Sequence, residues 1–168
     1  MGKKKQYVLW VVHTDPDPTT TESRDFTQTH IEHVIRAMKA AQDAGIPVVY
    51  ENKGSEYKEQ FLRLARREGV KKIIETEFFD DSEGGKAVAA FLKTMKELGL
   101  SKFEVLFAGH YVSTCINERA KELKEKRIAV NLVGGLACLL GRGMDLKEVE
   151  KFYGKNGIIP IDKIRDLW

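Results

Sequence analysis

The feature that most constrains this chain is an alternation. Short β-branched apolar runs are separated by longer amphipathic stretches along nearly its whole length. The runs are Tyr7–Val12, Pro47–Tyr50, Lys72–Glu75, Phe103–Ala108 and Ile128–Val133. Continuous runs of this length suit strands buried on both faces of a parallel sheet. Helical patterns fill residues 28–44, 56–68, 85–98, 115–126 and 145–153, and glycine stop signals follow several of them, at Gly45, Gly69 and Gly99. Gly157 to Ile161 offers a sixth short strand. Strand and helix in turn, joined by right-handed crossovers, specify an α/β fold. The expected architecture is a doubly wound three-layer sandwich, Rossmann-like, with a mostly parallel five- to six-stranded sheet.

Composition narrows the classes of function. The chain has 168 residues, the size of one domain over 1–168, and 42% of them are hydrophobic. A chain this long buries ~70% of its unfolded surface, so it needs neither disulfide nor metal to hold a core. Lys and Arg number 28 against 25 Asp and Glu, a net charge of +3. The charges interleave on helix faces, as in Lys121-Glu122-Leu123-Lys124-Glu125-Lys126, and form no basic stripe with aromatics. That argues against a nucleic-acid partner. No apolar run approaches the ~20 residues of a membrane span, and the start of the chain does not read as a secretory signal, so a cytoplasmic protein is expected. Lysine and glutamate richness beside four Asn and four Gln is the balance of heat-adapted proteins. The two cysteines, Cys115 and Cys138, form no disulfide framework.

The fold predicts where chemistry should sit. In an open parallel sheet, ligands bind beyond the carboxyl ends of the strands, where strand order reverses. In the common order, that point lies between the first and fourth strands. The first is followed by His13-Thr14-Asp15-Pro16-Asp17-Pro18, the fourth by Gly109-His110-Tyr111-Val112-Ser113-Thr114-Cys115. His13, His110 and Cys115 thus converge on one crevice.

Cys115 is the sharpest candidate. Ser113 and Thr114 are good helix caps, and Cys115 opens the helix that follows. Backbone N–H groups and the helix dipole at such a position favour a thiolate, the nucleophilic form. The same amides can hold an oxyanion during acyl transfer. Cys138, within Leu136-Ala137-Cys138-Leu139-Leu140, reads as a buried small hydrophobe.

The element from Phe103 to Ala120, an apolar strand, Gly109, a turn, Cys115 and a helix, resembles that of the isochorismatase-like cysteine hydrolases. Ala40 to Tyr50 resembles the helix-Gly-Ile-Pro-strand that follows that family's first crossover, and Tyr7 to Asp17 sits where its catalytic aspartate ends a strand. Ile128 to Cys138 sits at the strand after the nucleophile helix. The resemblance covers roughly residues 7 to 140. It implies an isochorismatase-like α/β fold with a six-stranded parallel sheet, thioester chemistry and homo-oligomers. It also implies a cis peptide near His110-Tyr111 that shapes the oxyanion hole.

Of the family's Asp, Lys and Cys triad, the resemblance places only the cysteine here. The aspartate position falls on His13, the lysine position on Thr76, and an acidic residue of a later turn on Leu136. Nicotinamidase-type members hold a metal with Asp and His after the second strand; here that stretch is Glu51-Asn52-Lys53-Gly54-Ser55-Glu56, without histidine. Neither metal nor other cofactor is expected. One reading makes the chain a cysteine hydrolase acting on a small amide or related metabolite. In it Cys115 is the nucleophile, His13 replaces the aspartate as base with Asp15 or Asp17 orienting the ring, and His110, Tyr111 and Thr76 contact substrate. The alternative is a catalytically silent relative that binds a small ligand or serves in oligomeric assembly, since a thiol without base or cation stays mostly protonated below ~8.5. Redox sensing by Cys115 is a third reading.

The remaining features have plainer readings. His30 and His33 share a helical face, expected to be solvated. Glu75 and Glu77 flank Thr76, and a carboxylate of either turned into the crevice would oppose a thiolate. Asp80 to Gly85 reads as a helix start, Trp10 as core, and Trp168 as a frayed or docked terminus. Tyr111 is a pocket residue or a packed strand-end aromatic.

Overall fold

A computed structural model describes residues 5–14, 24–52, 56–77, 85–109, 112–138 and 145–167. Six strands make one sheet: β1 (Tyr7–Val12), β2 (Val48–Asn52), β3 (Ile74–Glu77), β4 (Glu104–Gly109), β5 (Val130–Val133) and β6 (Ile158–Ile159). Their order is β3-β2-β1-β4-β5-β6 and every pairing is parallel. Five helices connect them: α1 (Arg24–Asp43), α2 (Glu56–Arg67), α3 (Lys86–Glu97), α4 (Asn117–Glu125) and α5 (Leu146–Tyr153). The doubly wound sandwich is therefore the one expected, with all six strands present.

The register shows what faces what. Trp10 lies on Phe91 of α3, ring centroids 4.0 Å apart and planes parallel within 1°, and also meets Phe107 of β4. Such stacking adds ~1 kcal/mol beyond burial. Tyr50 packs instead on Phe61 of α2, centroids 5.1 Å apart. Neighbouring side chains along a strand alternate faces. Val12 registers with Glu51, and Glu51 with Thr76, so these three share the α3/α4 face; Val11, Tyr50 and Glu75 share the opposite one. All six residues of β1 are buried, as a central strand requires.

The helix stops work through backbone geometry. After α1, Gly45 N–H donates to Gln42 and Ile46 N–H to Ala41, at 3.0 and 2.8 Å, and the same paired bonds end α2 and α3 around Gly69 and Gly99. Each of these glycines has positive φ, which closes orphan carbonyls at little steric cost. After α4 the same bonds form around Arg127, at φ 62°.

Several expected boundaries move: α1 begins at Arg24, not at residue 28, β2 runs on to Asn52, and β5 begins at Val130, not Ile128. The third strand begins at Ile74, not Lys72, because the N–H groups of Lys71 and Lys72 are already taken by the Gln42 side-chain oxygen, at 2.8 and 2.9 Å. It is also an edge strand, so only Thr76 of its four residues is buried. The fourth helical segment begins earlier, with a π turn over Val112–Ile116 that runs directly into α4. No described helix is long and apolar enough to cross a membrane.

Candidate functional site

The strand order reverses between β1 and β4, and of the predicted residues His13 and Cys115 follow the ends of these two strands. His13 and Thr14 continue β1 past Val12, and both are buried. Val12 registers with Gly109, the last residue of β4. Gly109 has φ 111°, and a Cβ there would lie 2.0 Å from the Val12 carbonyl oxygen and 3.0 Å from that of His13. Only glycine lets the chain leaving β4 pass this close to the end of β1. That chain then reaches the π turn carrying Cys115, which is half-buried.

Cys115 does not open its helix behind a Ser113-Thr114 cap, as the sequence suggested. The π turn carries the helix back to Val112, so Thr114 is itself helical. Its hydroxyl turns to the thiol, with Oγ1 donating to Cys115 Sγ at 3.8 Å. Cys115 still lies in the first turn of a helical run, where backbone N–H groups lack intrahelical partners.

Sequence reasoning missed the strongest polar feature. Arg119, one turn after Cys115, reaches over the sheet to Glu51 at the end of β2. Its Nε donates to Oε2 at 2.7 Å and its Nη2 to Oε1 at 2.5 Å. Both side chains are buried, Glu51 completely and Arg119 to 4% exposure. A third donor, Nη1, bonds the Cys115 carbonyl oxygen at 2.9 Å. The available signal was the i,i+4 spacing of Cys115 and Arg119 and a glutamate ending an apolar run.

Thr76, at the lysine position of the resemblance, is buried on the same face as Glu51, and its hydroxyl donates to the Tyr50 carbonyl at 3.5 Å. Glu75 does not turn into the crevice: Lys58 of α2 holds it at 2.6 Å on the opposite face. Glu77 is exposed. His30 departs from its expected solvated face and is fully buried on α1, a helix that packs against Gly135–Ala137, Ile161–Leu167 and the sheet. His33 is half-buried, its Nδ1 2.8 Å from the Thr29 carbonyl oxygen. Asp15, His110, Tyr111, Trp168 and the acidic stretch 80–84 lie outside the described residues, as does the expected cis peptide. Among the described residues, no group of three His, Cys, Asp or Glu is placed to hold a metal.

Cys138 follows the short 3₁₀ turn after β5. Its thiol is buried and donates to the Phe107 carbonyl at 3.1 Å, and burial pushes its pKa up to about 12. A separate groove of about 570 Å³ opens at the other end of the sheet, between Tyr7, Glu104, Asn131 and Tyr153. It includes none of the predicted site residues.

The fold is that of the isochorismatase-like cysteine hydrolases. A cysteine hydrolase from Pseudomonas syringae pv. phaseolicola superposes with a TM-score of 0.61 at 10% identity, covering 97% of this chain and 94% of that one. N-carbamoylsarcosine amidase from Thermoplasma acidophilum superposes with a TM-score of 0.60 at 12% identity, covering 92% and 95%. A protein assigned as an isochorismatase from Burkholderia xenovorans gives 0.57 at 17%, covering 77% of this chain and 66% of that one. No protein-family model and no curated protein matches the sequence. At these identities the likeness is one of fold, and activity has to be argued from the site.

Proposed function

We propose that this chain is an isochorismatase-like cysteine hydrolase that cleaves a small amide, with Cys115 as nucleophile and His13 as general base. The observation that carries the reading is the meeting of two strand ends at the switch point. One leads directly into His13, and the other, through Gly109, into a half-buried thiol in the first turn of a helical run.

In the proposed cycle, the His13 imidazole takes the Cys115 proton, and the sulfur attacks the substrate carbonyl carbon. The C–S bond forms as the carbonyl becomes an oxyanion, held by N–H groups of the turn. Collapse breaks the C–N bond, and the amine leaves with the proton from imidazolium. Water, deprotonated by His13, then hydrolyses the thioester, releasing the acid and restoring the thiol. Asp15 orients the ring in this scheme, and His110, Tyr111 and Thr76 contact substrate. The protein would work as a homo-oligomer on a soluble metabolite. A second reading, a silent binding or assembly relative, is favoured by Thr76, whose hydroxyl is engaged with Tyr50 where the family has a lysine.

The test is a panel of small amides, with quenched reactions read by intact mass. The hydrolase reading expects an acyl adduct on Cys115 that hydroxylamine removes, no adduct in Cys115→Ala, and turnover ~10²–10⁴-fold slower in His13→Ala. No adduct on any amide would favour the silent relative. Undiminished acylation in His13→Ala would remove His13 as the base.

A further inference from the structure

The Glu51–Arg119 pair is expensive as a way of holding a helix on a sheet. Two ions are taken out of water, and well-packed apolar residues of similar volume would hold α4 equally well or better. What an apolar pair could not do is the third interaction. The guanidinium has donors left after its two bonds to Glu51, and one of them holds the Cys115 carbonyl at 2.9 Å.

The sequence positions make this a clamp across the switch point. Glu51 is the last residue but one of β2, β1 lies between β2 and β4, and Arg119 comes from the helix after β4. The buried carboxylate fixes the plane of the guanidinium by a two-point contact, a geometry for which arginine is suited and lysine is not. The fixed plane in turn sets where the Cys115 carbonyl, and so the turn that carries the thiol, stands relative to the strand ends. It does so without placing a net charge beside the sulfur, because Glu51 balances Arg119.

We propose that Arg119, anchored by Glu51, is a positioning residue for Cys115: it fixes the π turn in the conformation that presents the thiol. This deepens the hydrolase reading and rests on it for its catalytic meaning. Arg119 acts through the backbone it holds.

The experiment compares wild type with Arg119→Lys and with the paired Glu51→Leu/Arg119→Met. The readouts are melting temperature, iodoacetamide alkylation of Cys115 against pH with Cys138 as internal control, and amide hydrogen exchange over Val112–Asn117. The paired variant is expected to keep its melting temperature within a few degrees. Exchange in the turn should quicken about tenfold or more, the loss of one hydrogen bond to a charged group. The alkylation midpoint should shift as well. Arg119→Lys keeps the charge opposite Glu51 but not the fork. It is expected to fall between the two, and it carries the same readouts if the paired variant does not fold.

Wild-type exchange together with a wild-type alkylation profile, in whichever variant folds, would overturn the proposal and leave the hydrolase reading intact. If wild-type Cys115 titrates as an ordinary thiol, the hydrolase reading falls; the exchange arm then decides the clamp alone.

Discussion

Cys115 and Cys138 follow the carboxyl ends of adjacent strands, and the fold treats them in opposite ways. Cys115 is half-buried in a helical turn, with the Thr114 hydroxyl on its sulfur and Arg119 on its carbonyl. Cys138 is buried, and its proton is committed to the Phe107 carbonyl of β4. One sulfur lies half-buried in the first turn of a helical run, and the other is buried where an anion has no solvation. Gly109 joins the two regions: it begins the chain toward Cys115, and its backbone bridges to Cys138. The lesson is that residue type and neighbouring strand ends do not fix a thiol's surroundings; the turn that follows does.

The largest expected effect comes from removing what both regions share. Gly109→Ala places a Cβ on the Val12 carbonyl in a left-handed conformation. It should cost about 3 kcal/mol or more, a fall of roughly 10 °C in melting temperature. Calorimetry checks it, and a melting temperature close to wild type would show that the strand ends are less tightly apposed than the geometry requires.

The next effect isolates the Cys138 side through pH. A folded-state pKa of about 12 lies well above the ~8.5 of an ordinary thiol, so the native state keeps a proton that the unfolded chain releases. That stabilisation is fully present below about pH 8.5 and is lost as pH rises toward 12, by an amount on the order of a few kcal/mol. Burial raises the Tyr153 phenol as well, which adds loss in the same direction at still higher pH. Melting temperature should therefore fall steeply above pH 9, and Cys138→Ala should flatten the first part of that fall while leaving turnover unchanged. An equally steep fall in the variant would assign the loss to other groups.

How much of this was legible in the sequence depends on what each residue had to satisfy. The strands and helices were readable because apolar periodicity and glycine stops report local rules that the fold then obeys, as at Gly45, Gly69 and Gly99. The start of β3 was not, because Gln42, about thirty residues away in sequence, takes the N–H groups of Lys71 and Lys72. The switch point, and the positions of His13 and Cys115 in the chain just past its two strands, followed from topology. The π turn did not, since Ser113 and Thr114 read locally as caps. Nor did the Glu51–Arg119 pair: 68 residues separate its partners, and no local pattern couples them.

The smallest effect sharpens the comparison on the Cys115 side. Thr114→Val removes the hydroxyl that donates to Sγ while keeping the side chain's shape, and Thr114 is exposed. Stability should change by less than ~0.5 kcal/mol, as at most surface positions. The alkylation midpoint of Cys115 should rise, because a donor to the thiolate is gone. An unchanged midpoint would mean that the 3.8 Å contact does not tune the sulfur.

The most direct test of the central claim is iodoacetamide alkylation of both cysteines in the native protein across pH, resolved by peptide mapping. The account predicts that Cys115 reacts with a midpoint well below the ~8.5 of an ordinary thiol. Cys138 should stay unreactive until the protein unfolds. Cys115 titrating as an ordinary thiol, or staying as protected as Cys138, would contradict it.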